Sequence, residues 1–279
     1  MDRYEIVLRH VVVAGVAMVA AAATSASAAA TEPFKITNIH FETNASACDM
    51  GIQMSFDTDG LSEGSVKDPN GQIVYQFGAV GGPQVTHDIT EGFQERVEPQ
   101  IIDLMRALGC ERDQEEPEIW LTALLSAWPE GKYIFTGSSK DANWRGFASL
   151  SHKVPAGPEI LAPGDGDVVP PDQNLPIRWK KVTDPIIPEL GPVNVVGYHV
   201  VIADATNPEP FPPGKIPAQF DVDLPASATS LLVPKQFLRS SRIYEFEVLA
   251  TEAGGNQTIS EGGVFCTQPI RPADCNKPE

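Results

Sequence analysis

Basic residues are scarce in this chain: 20 Lys and Arg stand against 37 Asp and Glu, a formal net charge of −17 at pH 7. So anionic a surface is repelled by nucleic-acid phosphates and by anionic lipid, which sets both aside as partners. Histidine is scarce as well. His10, His40, His87, His152 and His199 are scattered, and only His87 has an acid beside it, Asp88. Nucleophilic catalysis needs a serine or cysteine near a histidine held by an acid, and zinc needs clustered ligands. Neither pattern stands out, so the expectation is a non-enzymatic chain with no catalytic residues, no metal and no cofactor. Beyond Ala23 no apolar run is long enough to cross a membrane as a helix, so no membrane insertion of the mature chain is expected.

The exception lies at the start. Arg3 and Arg9 precede an apolar run from Val11 to Ala23, and Ala26-Ser27-Ala28 supplies small residues at the spacing of a cleavage site. Residues 1–28 read as a signal peptide, which predicts a periplasmic or secreted protein. In an oxidising compartment four cysteines read as disulfides. Cys48, Cys110, Cys266 and Cys275 allow three pairings. Joining Cys48 to Cys110 and Cys266 to Cys275 keeps each bridge within its own half.

What remains is short alternating segments with turns between them. Phe34 to Phe41, Ile52 to Phe56, Gln72 to Gly78, Tyr133 to Gly137 and Phe147 to His152 read as strands. In the first, Phe34, Ile36 and Asn38 are expected opposite Lys35, Thr37 and Ile39. The second is expected to stop at Asp57-Thr58-Asp59-Gly60. Between Val97 and Trp128 the period changes. Ile101, Ile102, Met105 and Leu108 recur at helical spacing before Gly109, and Trp120, Leu121, Leu124 and Leu125 repeat the pattern up to Pro129. The expected architecture is mainly β. A β-sandwich domain over 33–154 carries a helical insertion at about 97–128, and a second domain covers 158–268 with a tail at 269–279. The Val154-Pro155-Ala156-Gly157-Pro158 boundary reads as a short, stiff linker that sets the two end to end.

In the second half, Tyr244, Phe246, Val248 and Ala250 alternate with Glu245 and Glu247, behind a polar turn at 239–242 and Leu238. Trp179 follows Leu-Pro-Ile-Arg, and Tyr198 opens Tyr-His-Val-Val-Ile. These residues resemble the recurring positions of a fibronectin type III domain. The resemblance implies that Trp179, Tyr198, Leu238 and Tyr244 anchor an immunoglobulin-like sandwich and that the domain serves interaction or spacing. As a whole the layout resembles exported bacterial proteins that pair a small β domain with a fibronectin type III domain.

Aspartates at turns (Asp57, Asp59, Asp68, Asp165 and Asp167) lack a complete calcium loop and read as turn formers. Trp144, between Asn143 and Arg145, reads as exposed. Asn44-Ala45-Ser46 and Asn256-Gln257-Thr258 fit the glycosylation pattern. The acidic run with Glu111, Asp113, Glu115 and Glu116, together with Trp144 and the proline-rich loops between Asp184 and Pro217, is the expected contact surface for a protein partner. A carbohydrate or cell-surface polymer is the alternative ligand.

Overall fold

The computed structural model describes residues 30–81, 88–95, 97–206 and 219–276. The segment read as a signal peptide, His87, the second proline-rich loop (207–217) and the last three residues lie outside them. Strands in the first half are β1 (Ala30–Pro33), β2 (Ile36–Asn44), β3 (Asp49–Leu61), β4 (Glu63–Lys67), β5 (Ile73–Gly78), β6 (Ile89–Glu95) and β7 (Gln100–Ile101). Then come helix α1 (Ile102–Leu108), β8 (Glu118–Ile119), helix α2 (Leu121–Ala127), β9 (Gly131–Ser138) and β10 (Ala142–Leu150). The second half holds β11 (Ile160–Ala162), β12 (Asp167–Val169), β13 (Leu175–Trp179), β14 (Val195–Asp204), β15 (Gln219–Pro225), β16 (Ser230–Val233), β17 (Ile243–Glu252) and β18 (Gln257–Thr267).

Two sandwiches result, the first with a helical insertion. A five-stranded sheet, β1-β10-β9-β4-β5, and a three-stranded sheet, β11-β13-β16, each face part of one ten-stranded sheet, whose main path runs β15-β14-β17-β18-β2-β3-β7-β8. Alternation decides which side chains enter each core. Leu175, Ile177 and Trp179 of β13 meet Tyr198, Val200 and Ile202 of β14 and Tyr244, Phe246 and Val248 of β17 in the second core. Ile39, Phe41, Met50, Ile52, Tyr133 and Phe135 fill the first.

Several local expectations are corrected. Phe34 is buried and Ile36 is 56% exposed, whereas Ile39 and Phe41 point inward. The face changes because the chain leaves the five-stranded sheet after β1 and enters the ten-stranded one at β2. β3 runs on through Asp57-Thr58-Asp59-Gly60 to Leu61, with an irregular register there. Ile101 is a strand residue, and Leu104 is the buried residue of α1, while Leu108 is 45% exposed. Gly109 ends α1 as expected, at φ 82°, donating its N–H to Met105 O. The Asp103 carboxylate accepts the Leu121 N–H at 2.9 Å and so tethers α2 to α1. Leu104, Leu121, Leu124 and Trp128 belong to the first core; the insertion closes the sandwich with its apolar side.

The two halves are not set end to end on a linker. β18 pairs in parallel with β2 (Gln257 with Glu42, Thr258 with Thr43, Ile259 with Asn44), so one sheet passes through both. Asn256, wholly buried, fastens this seam. Its Oδ1 accepts the Phe41 N–H at 2.9 Å, and its Nδ2 donates to Ser151 O at 2.8 Å and Lys153 O at 2.9 Å. Thr258 donates its hydroxyl to Pro155 O at 2.7 Å. From the second half, Ile186 and Ile187 reach into the first core.

Candidate functional site

Cys110 begins the acidic loop, and the structure joins it to Cys48; Cys266 is joined to Cys275. Gln100 of β7, only 3% exposed, holds the loop from inside. Its Nε2 donates to Ala47 O at 3.0 Å and Glu111 O at 3.2 Å, and its Oε1 accepts the Asp113 N–H at 2.8 Å. Its own N–H donates to Pro117 O at 2.9 Å. The Asp113 carboxylate accepts the Glu115 N–H at 2.9 Å. β7 pairs with β8 across the base of the loop, and Arg112 forms an ion pair with Glu118 there. Glu111, Asp113, Glu115 and Glu116 are all exposed. The loop is therefore a fixed backbone carrying four exposed carboxylates, of which Asp113 also caps its own turn. Beside it Trp120, expected on an apolar stripe, is 46% exposed and lies under the Arg106 guanidinium, 4.6 Å from the ring centroid.

Of the other expected contacts, Trp144 does not survive. It is 7% exposed and part of the first core. The strand holding it begins at Ala142, five residues earlier than its sequence suggests, and alternation turns Trp144 inward between exposed Asn143 and Arg145. The loop after Asp184 buries Ile186 and Ile187 in the first core and leaves Asp184, Pro188 and Glu189 exposed. Asn256 is inaccessible to glycosylation in the folded chain, and Asn44 uses its Oδ1 to accept the Ser46 N–H at 2.9 Å.

Turn aspartates behave as turn formers or ion-pair partners. Lys35 Nζ lies 2.6 Å from Asp59 and 3.7 Å from Asp57. Asp68 accepts the Gln72 N–H at 2.7 Å, and Asp167 the Gly164 N–H at 2.7 Å.

Gly60-Leu61-Ser62-Glu63-Gly64 spells a nucleophile elbow, but an elbow turns from strand to helix, and Ser62 joins β3 to β4. Its hydroxyl donates to Asp88 at 3.1 Å. Each described histidine after it has a partner of its own: the His152 ring contacts Trp128 O at 2.8 Å, and His199 lies between Asp221 at 3.0 Å and Asp223 at 2.8 Å.

Sequence reasoning missed a group on the outer face of the seam. Glu42, Glu95 and Glu98 bring carboxylate oxygens within 4.8 Å of one another. The Gln53 amide bridges two of them, donating to Glu42 at 2.5 Å and Glu95 at 3.1 Å, and Gln257 of β18 donates to Glu42. Burial, then Asp49, Glu42 and Glu95, push Glu98 up to about 8. Burial, with Glu261, Glu116 and Glu42 adding to it, pushes Asp49 up to about 6. Three stretches distant in sequence, 42–53, 95–98 and Gln257, meet here, so only the strand register could have revealed the group.

On the outer face of the five-stranded sheet lies a groove of about 880 Å3, lined by small polar residues including Ser65, Gln76, Thr136 and Asn143. Ser65 and Thr136 share a hydrogen bond at 3.0 Å.

No protein-family model matches the chain, and no curated protein matches it. A stretch of titin domains aligns at 11% identity with a TM-score of 0.25, covering 86% of this chain and 62% of that structure. The BSP domain of a biofilm-associated protein aligns at 12% with a TM-score of 0.23, covering 84% of this chain and 30% of that one.

Proposed function

We propose that the protein is an exported, non-enzymatic interaction module that presents the acidic loop at 111–118 to a basic protein partner. The observation that carries this is the pairing of four exposed carboxylates with a backbone held by Gln100 and the Cys48–Cys110 bridge. A loop already fixed loses little conformational freedom on binding, so its charge acts on the partner undiminished. Two disulfides fit an oxidising compartment and with it a periplasmic or secreted location. In this reading residues 158–268 form a fibronectin type III domain. Its support is the burial of Trp179, Tyr198, Leu238 and Tyr244 in one core, and its role is to carry the first sandwich rigidly. The alternative ligand, a carbohydrate or cell-surface polymer, is favoured by the polar groove alone.

Screening the purified chain against protein and glycan arrays separates the two. Hits among basic proteins that are lost on reversing Glu111, Asp113, Glu115 and Glu116 to Lys support the loop. Hits confined to glycans, unchanged in that variant, transfer the function to the groove.

A further inference from the structure

The outer face of the five-stranded sheet carries charge of the sign that is scarce elsewhere in the chain. Alternation along β4, β9 and β10 turns Lys67, Lys132 and Arg145 outward, and strand register gathers them. Lys67 pairs with Ile134, and Ile134 with Phe147; Lys132 lies two residues before Ile134 and Arg145 two before Phe147. The three cations therefore border an apolar centre of Ile134 and Phe147, the latter 44% exposed. Lys132 Nζ stands 3.4 Å and Arg145 Cζ 5.3 Å from the Phe147 ring centroid. Although the chain has 37 acidic residues, among the described residues no carboxylate lies within 4.0 Å of any of the three.

The polar groove adjoins this patch on the same face. Arg145 is opposite Thr136, Thr136 opposite Ser65 and Ser65 opposite Gln76, a row across four strands that spans about 14 Å at the usual strand spacing. Ser138 and Asn143 begin the next row beside Glu63, the one carboxylate among the outward residues of β4, β5, β9 and β10. Its Oε1 accepts the Ser138 hydroxyl at 3.3 Å. Hydroxyls and amides donate and accept as sugar hydroxyls do, and a carboxylate among them accepts from a sugar hydroxyl but repels an anion. A ligand that fits the whole face thus brings neutral hydroxyls to the groove, negative charge to the cations and an apolar face to the exposed ring. A densely charged polyanion meets Glu63 and the net charge of −17. A sparsely charged one is spared most of that repulsion, because charges beyond about 8 Å are screened at physiological salt. Carboxylate suits the guanidinium of Arg145, which pairs with it through two parallel N–H donors.

Resting on the carbohydrate alternative, we propose that this face binds a polysaccharide bearing carboxylate groups. Lys67, Lys132 and Arg145 hold the carboxylates, Phe147 lies against a sugar ring, and the groove takes the hydroxyls.

Titration calorimetry of the whole chain with polygalacturonate and with its methyl ester, which keeps the sugars and removes the charge, tests it. Lys132→Gln combined with Arg145→Gln removes two charges from the face; Lys181→Gln combined with Lys235→Gln removes two exposed charges from the second half. Gln76→Ala combined with Asn143→Ala strips amides from the groove. The expected result is at least a tenfold loss of polygalacturonate affinity in the face pair, at least threefold in the amide pair and less than twofold in the second-half pair, each variant folded by circular dichroism. The ester should bind wild type at least tenfold more weakly than the acid. Equal losses in the two charge pairs would reduce the effect to net charge and overturn the proposal. Equal binding of acid and ester would overturn it too, while leaving the carbohydrate alternative standing with a neutral sugar in the groove. Binding of neither polymer overturns it, and a blank glycan array then ends the carbohydrate alternative as well. Single-stranded DNA binding more tightly than polygalacturonate would make the face a general polyanion surface and overturn the assignment to a sugar.

Discussion

Tyr244 shows what one buried polar aromatic does for a sandwich corner. Its ring is 1% exposed and stacks on Phe265 with centroids 5.2 Å apart; its hydroxyl accepts the Arg239 N–H at 2.8 Å and donates to Phe237 O at 3.4 Å. Removing only the hydroxyl orphans a backbone donor, so Tyr244→Phe should cost about 1 to 2 kcal/mol. Truncation to Ala also opens a cavity and should cost about 3 to 5 kcal/mol. Denaturant midpoints of the whole chain check both, and a Phe variant as unstable as the Ala variant would mean that the hydroxyl does all the work. Such residues were legible because alternation marks a strand with one buried face. Trp144 was misread because polar neighbours suggest exposure, whereas within a strand they are the rule beside a buried aromatic. Asn256 fits the glycosylation pattern, yet it is wholly buried. A local pattern carries no information about a side chain whose partners lie about a hundred residues and more away.

Among the elements, the insertion and the seam behave differently. The Cys48–Cys110 bridge spans 62 residues and sits at the root of the acidic loop. Replacing both cysteines by serine should lower stability by about 2 to 5 kcal/mol. The same change should weaken partner binding through the freed loop; unchanged melting would assign the bridge no structural role. The seam should respond to pH. Glu98 titrates at about 8 in the fold against 4.5 as its ordinary value, so the folded state holds its proton more tightly. That contribution favours folding in full below about pH 4.5 and is lost as pH rises through about 8. Asp49 adds a change of the same sign between 3.8 and about 6. The melting temperature should therefore fall from pH 6 to pH 9, and Glu98→Gln should flatten that fall. A Gln variant with the wild-type slope would place the titration elsewhere. None of this was readable from spacing, since the carboxylates come from β2, β3, β6 and the segment before β7 and meet only through strand register. The helices were readable in kind, but their buried residues were displaced by the short strand that precedes α1.

At the scale of the molecule, length, turn spacing in the first half and the resemblance of the second half to a fibronectin type III domain led to two sandwiches, and the structure has two. Their connection was not legible, because β18 and β2 are separated by most of the chain and parallel pairing leaves no local signal. Domains in one chain move relative to each other unless a large interface holds them. Here three ties act together: the shared sheet, the Asn256 hydrogen bonds, and Ile186 and Ile187 in the first core. The acidic loop and the seam are then carried on one body. Scanning calorimetry of the chain from residue 29 tests this most directly. The account predicts a single transition whose calorimetric and van't Hoff enthalpies agree, and Asn256→Ala, which orphans buried groups at about 1 to 3 kcal/mol each, should lower its temperature. Two separable transitions in the wild-type chain, with Asn256→Ala affecting neither, would contradict it.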